Sequence, residues 1–130
     1  MQINRPDVLA EVWEAYRRYE KALLEADAAT LDTLFWNDPL TVRYGVGENL
    51  NGHAAIADFN AHRRLNPERA LADTIVTTFG ADFATVSTLF TDVPEGKVGR
   101  QMQSWARTTD GWRVVAAHVS VIERPAETGR

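Results

Sequence analysis

Two long hairpins in succession, preceded by three helical segments, leave few folds open to this chain. Residues 71–79 and 83–91 are rich in Thr, Val and Phe, with Gly80-Ala81-Asp82 between them as a turn. Pro94-Glu95-Gly96 makes the next turn, and residues 99–108 and 112–123 face each other around Asp110-Gly111. An Asp-Gly pair between two β-rich runs is a strong local hairpin signal. The second half of the chain therefore reads as a meander of four long strands.

The first half reads differently. Residues 6 to about 27 form one amphipathic helix: Pro6 suits a first turn, and Val12, Tyr16, Tyr19 and Leu23 recur at helical spacing. Glu14, Arg18, Lys21 and Glu25 make its solvated face. A second helix is expected over residues 28–35, with Leu31, Leu34 and Phe35 inward. Asn37-Asp38-Pro39 stops it, and residues 40–44 alternate as a short strand ended by Gly45 and Gly47. Asn51 or Gly52 caps a third helix running to about residue 65, with Ile56 and Phe59 on its apolar stripe, and Asn66-Pro67 ends it.

Helices first and strands second is an α+β pattern. A long antiparallel sheet twists and curls. Wrapped around the first helix, it makes a cone-shaped fold with a blind cavity between sheet and helices, the kind of concave place where small molecules bind. At 130 residues the chain fits one domain, residues 1–130, with an ordered core over 6–123. The tail after Pro125 is expected to fray.

Charge and composition narrow the partners. The net charge is −4 and no basic stripe is present, only His62-Arg63-Arg64 with Arg69 nearby, so a nucleic-acid role is not expected. No apolar run approaches the ~20 residues of a membrane span, and the N-terminus has no export pattern. The chain has no cysteine, which excludes disulfides and thiolate chemistry and fits a cytoplasmic setting. His53, His62 and His118 show no ligand-pair spacing, and no phosphate loop or nucleophile elbow appears; neither metal nor cofactor is expected.

Several side chains point to anion chemistry in the cavity. Arg43 sits on the short strand; on the concave face its planar fork would grip a carboxylate through parallel hydrogen bonds. Facing solvent, or paired with an acid such as Asp38, it would be structural. Arg63 follows Phe59 by four residues and is a second candidate anion group. Tyr19 and Tyr16 share the inward stripe of the first helix, and either phenol would supply a proton or hydrogen bond; Tyr19 is the first choice. A two- or four-residue turn in the last hairpin would put Gln101, Gln103 and Trp105 on one face with His118 and Ser120, a polar end to the cavity. A bulge would break that parity. Asp38, before Pro39, reads as a turn residue rather than a base.

The order of elements, together with the ending Asp110-Gly111-Trp112-Arg113-Val114-Val115-Ala116-Ala117-His118-Val119-Ser120, resembles the SnoaL-like branch of the nuclear-transport-factor-2-like (cystatin-like) superfamily. Two stretches are more specific: Thr41-Val42-Arg43-Tyr44-Gly45 with Glu48-Asn49-Leu50, and Gly99-Arg100-Gln101-Met102-Gln103-Ser104-Trp105. Together they look like the AtzH-like and HpxZ-like proteins, which accompany amidohydrolases in cyanuric-acid and oxalurate breakdown. The resemblance spans nearly the whole chain. It implies a cofactor-free decarboxylase acting on a small anionic ureide such as 1,3-dicarboxyurea to give allophanate, a homodimer, and an amidohydrolase as partner. Tyr19 and Arg43 would be catalytic, while Arg63, Gln103, Trp105, His118 and Ser120 would bind substrate. A non-catalytic accessory protein for the amidohydrolase is the alternative. An isomerase or cyclase is a weaker one, because the superfamily's isomerases carry a carboxylate near the position of Arg43-Tyr44.

Overall fold

A computed structural model describes residues 1–125. The tail expected to fray lies outside the described residues. Helices α1 (Pro6–Leu24), α2 (Ala28–Leu34) and α3 (His53–His62) pack on one face of a curled six-stranded sheet. Its strands are β1 (Val42–Tyr44), β2 (Asn49–Asn51), β3 (Leu71–Phe79), β4 (Phe83–Phe90), β5 (Lys97–Thr108) and β6 (Gly111–Glu123). They lie in the order β2-β1-β6-β5-β4-β3, and every neighbouring pair is antiparallel except β1 and β6. The expected α+β architecture, three N-terminal helices on a mostly antiparallel curved sheet, is the one observed. Among the described residues no helix is long and apolar enough to cross a membrane.

The first helix stops three residues before the expected end, for a reason visible in its backbone. Ala26 adopts φ 54°, and the Ala26 and Asp27 amides donate back to the carbonyls of Leu23 and Ala22. That is a Schellman closure, here built on alanine instead of the usual glycine. Asp27 then caps α2, its carboxylate accepting from the Thr30 amide at 3.1 Å and the Thr30 hydroxyl at 2.6 Å. The α1 stripe buries Val8, Val12, Tyr16, Tyr19 and Leu23 against the sheet.

Helix α3 also ends early. Arg63 leaves it in extended conformation (φ −80°, ψ 148°), so its side chain departs from the helical stripe. The helix is tied to α2 through the Asp32 residue: His53 Nε2 lies 2.6 Å from its carbonyl oxygen, and Asn60 Nδ2 donates to its carboxylate at 3.2 Å. A carbonyl oxygen only accepts, so the His53 proton sits on Nε2.

The short strand β2, absent from the sequence reading, pairs with β1 to form a small hairpin around residues 45–48. In the long hairpin, Trp105 pairs with Val114 but Ser104 pairs with Ala116. Val115 is thus an extra residue on β6, a bulge that reverses the facing of everything after it. Inward residues run Trp112, Val114, then Ala117, and the side chains opposite the buried Gln101 and Gln103 are Val119 and Ala117.

Ile56 is the one apolar side chain of α3 that is fully buried. Ile56→Ala is expected to lower unfolding stability by about 2–5 kcal/mol, read as a shift of the urea midpoint at unchanged slope. A loss below about 0.5 kcal/mol would show that α3 is held by its polar links to α2 instead.

Candidate functional site: an arginine-lined cavity

Between α3, the loop that follows it and the β1–β6–β5 part of the sheet lies a cavity of about 300 Å³. Arg43, Glu48, Phe59, Arg63, Arg69 and Gln101 give it its chemistry, and Leu65, Phe90, Val119 and Val121 its apolar wall. Gly99 makes that wall possible, because a Cβ there would lie 2.3–2.5 Å from the Phe90 ring.

Arg43 reaches the interior because alternation on β1 turns it inward between exposed Tyr44 and half-buried Val42. It is only 2% exposed. Its Nη1 donates to Glu48 Oε1 at 2.7 Å, its guanidinium lies 4.6 Å from the Phe59 ring centre, and its buried Nε has no partner. The acid that answers it is Glu48 across the hairpin, not Asp38, which accepts from the Leu40 amide at 2.8 Å as a turn residue. Gly45 leaves room for the pair: a Cβ on it would stand 1.9 Å from Glu48 Oε1 and 2.7 Å from Arg43 Nη1.

Arg63 approaches the same ring, with its guanidinium 5.2 Å from the Phe59 centre. Its Nε and Nη1 are buried and no side chain accepts from them. Burial holds this guanidinium below its ordinary range, the nearby Arg43 and Arg69 push the same way, and the Tyr19 hydroxyl beside it opposes them. A cation in that position is short of an anion.

Arg69 is answered in full. Its Nε and Nη2 donate to Glu20 Oε1 and Oε2, each at 3.2 Å, and it stacks 4.4 Å over Phe90. Glu20 also accepts from Tyr16 at 3.1 Å and from Gln101 Nε2 at 3.1 Å. Burial and the adjacent Glu20 push the Tyr16 hydroxyl well upward, so it stays a phenol and a donor. Tyr16 is thereby committed to Glu20, whereas Tyr19, 1% exposed, stands edge-on to Phe35 and Trp105 and next to Arg63.

Gln103 and Trp105 face inward as expected. The indole donates to Gln103 Oε1 at 2.9 Å, which leaves Gln103 Nε2 buried without an acceptor. Arg43, Ala117 and Gln103 are neighbours in one cross-strand row, about two strand spacings or ~10 Å end to end. His118 and Ser120 are not in this set. The Val115 bulge turns both to the outer face, where His118 is exposed beside Tyr44, and Ser120 accepts from Arg100 Nε at 3.1 Å. Gln101, expected at the polar end of the cavity, lines it; Glu20, Glu48 and Arg69 are members of the site that the sequence reading did not assign to it.

The AtzH-like family profile matches residues 1–125. The chain belongs to the AtzH-like family. Among solved structures, this AtzH-like protein is similar to a cystatin-like fold protein from Burkholderia xenovorans, at 48% identity and TM-score 0.92 over 96% of this chain and 99% of that one. It is also similar to a protein of unknown function from Pectobacterium atrosepticum, at 51% identity and TM-score 0.86 over 93% and 95% of the two chains. A nuclear-transport-factor-2-like protein from Salmonella enterica matches at 25% identity and TM-score 0.72 over 95% and 94%. A comparison with curated proteins gave no match.

Substituting Gly45 tests the Arg43–Glu48 pair. The new methyl group of Gly45→Ala takes the position of the Glu48 carboxylate, and we expect a loss of about 1–3 kcal/mol in urea unfolding. The same loss in a Glu48→Ala background would show that the cost comes from something other than this pair.

Proposed function

We propose that this AtzH-like protein is a cofactor-free decarboxylase of a small ureide dicarboxylate such as 1,3-dicarboxyurea, releasing allophanate and carbon dioxide. The observation that carries this reading is the Arg63 guanidinium, whose buried Nε and Nη1 have no acceptor, set with Arg43 against one phenyl ring beside an apolar wall. Three interior guanidinium groups face two carboxylates, Glu20 and Glu48, so one positive charge is in excess in a chain whose net charge is −4. At the rim, Arg64 and Asp92 offset each other. A small carboxylate is the natural occupant.

The chemistry then needs orientation and a proton. Arg43 and Arg63 hold carboxylate oxygens, and Gln103 Nε2 donates to the urea carbonyl. The bond between nitrogen and the departing carboxylate breaks, its electron pair remains on nitrogen, and that nitrogen takes a proton from the Tyr19 hydroxyl. Carbon dioxide leaves, and Tyr19 regains its proton from water. The wall of Phe59, Phe90, Val119 and Val121 keeps water from the carboxylate as its charge is lost. Both interior acids are engaged in ion pairs, which speaks against an isomerase that shuttles protons on a free carboxylate. As the family resemblance implies, the reading is of a cytoplasmic enzyme that pairs with a second copy of itself and works beside an amidohydrolase.

The test is carbon dioxide release from freshly generated dicarboxyurea, measured against an enzyme-free blank. Release above the blank is expected from the native protein, with Arg43→Ala falling to the blank. Tyr19→Phe should lower turnover by about 10²-fold or more with a smaller effect on binding. Native release equal to the blank, with ureide acids still bound, would replace the decarboxylase by the accessory binding protein.

A further inference from the structure

The two interior carboxylates are held in unequal ways. Glu20 belongs to a helix, is 8% exposed, and accepts four hydrogen bonds from three side chains. It is fixed. Glu48 belongs to the turn of the small β1–β2 hairpin, and its side chain is 27% exposed against 3% for Arg43. It meets Arg43 end-on, through a single Nη1 to Oε1 contact, and its other oxygen accepts only from the Gly47 amide at 3.1 Å. One rotation of this side chain would carry the carboxylate into water without disturbing the core.

What it would leave behind is Arg43 free to take another anion in the cavity that Arg63 also lines. Arg43 would regain Nη1 beside its unpartnered Nε, and Arg63 already presents Nε and Nη1 unpaired over the same Phe59 ring. With Glu48 in place the interior carries one surplus positive charge and suits a monoanion. With Glu48 outside it carries two and suits a dianion. We propose that Glu48 is a built-in competing carboxylate: it occupies the Arg43 anion site in the empty protein, yields it to one carboxylate of a dianionic ligand, and returns when that carboxylate is gone. Resting on the decarboxylase reading, this exchange also gives product release a cause. The substrate enters with two negative charges, the product keeps one, and the returning Glu48 takes back Arg43. Glu48 in this role determines specificity by charge and is not a catalytic residue.

The exchange has a measurable signature. A ligand that must displace an internal competitor binds with an affinity reduced by the fraction of time the site is free. Glu48→Gln keeps an amide oxygen for Arg43 and removes the competing charge. Malonate as dianion and acetate as monoanion are titrated calorimetrically into native protein and Glu48→Gln. Malonate is expected to bind the variant at least about tenfold more tightly, and acetate to change by less than about threefold. In the native protein, saturating malonate is expected to shift the Gly47 amide resonance as its carboxylate acceptor leaves; this second readout does not depend on how the variant folds. Malonate binding that weakens or stays unchanged in Glu48→Gln would make Glu48 a fixed support for Arg43 and overturn the exchange. So would malonate binding to native protein with the Gly47 amide unmoved, or no malonate binding at all. Carbon dioxide release equal to the blank, with the malonate pattern intact, would remove the decarboxylase and leave the exchange standing.

Discussion

Glu20 ties together parts of the chain that lie far apart in sequence, and the cavity depends on it. It sits on α1, takes both arms of Arg69 from the loop before β3, and accepts from Gln101 on β5. A buried ion pair of this kind contributes little net stability compared with an apolar replacement, because both charges are desolvated. Its value lies elsewhere. Removing either partner would strand a charge, so the loop after α3 has one place to go, and Phe90 and Arg69 stack as the cavity's far wall. Arg63 is placed locally, as the C-cap of α3 whose amide donates to the Phe59 carbonyl at 3.1 Å. The cavity thus has one side set by a helix end and the other by where one glutamate anchors one arginine.

The fold was legible because its signals are local. Hairpin turns at Gly80-Ala81-Asp82 and Asp110-Gly111, and the Val12–Tyr16–Tyr19–Leu23 stripe, each act within a few residues and agree with one another. The ends of α1 and α3 were not legible for the opposite reason. An alanine taking the left-handed conformation at residue 26 carries no compositional mark, and Arg63 turns extended because the cavity and Phe59 receive it. Strand β2, three residues of Asn-Leu-Asn, exists only because β1 offers it an edge.

The candidate site was read in part, and the split follows the same physics. Arg43, Tyr19, Gln103 and Trp105 lie on regular stretches whose alternation or stripe gives their facing directly. His118 and Ser120 lie beyond the Val115 bulge, and a single extra residue moves every later side chain to the opposite face. The alternative tyrosine was resolved by partnership rather than by periodicity: Tyr16 and Tyr19 are both buried, but Glu20 engages only the first. Glu48 and Arg69 were not legible as interior groups because acids and arginines in loops are usually solvated, and only their pairing in the fold reveals their burial.

The same scaffold hosts very different chemistries, so the inward-facing side chains must carry the difference. Here three buried arginines line the cavity, the two carboxylates that meet them are paired, and the one further acid, Asp92, stands at the rim. An unpaired acid in an apolar pocket holds or moves a proton on carbon substrates; a surplus of guanidinium groups holds negative charge already present on the ligand. The first arrangement asks little of ligand charge, whereas the second selects on it. With one acid anchored on a helix and the other on a solvent-facing turn, the pocket's charge has one adjustable element. Under the proposed exchange, a cavity of about 300 Å³ would distinguish its ligands by charge count before shape, because each uncompensated charge at this depth outweighs the contacts that a ligand of a few atoms makes with the wall.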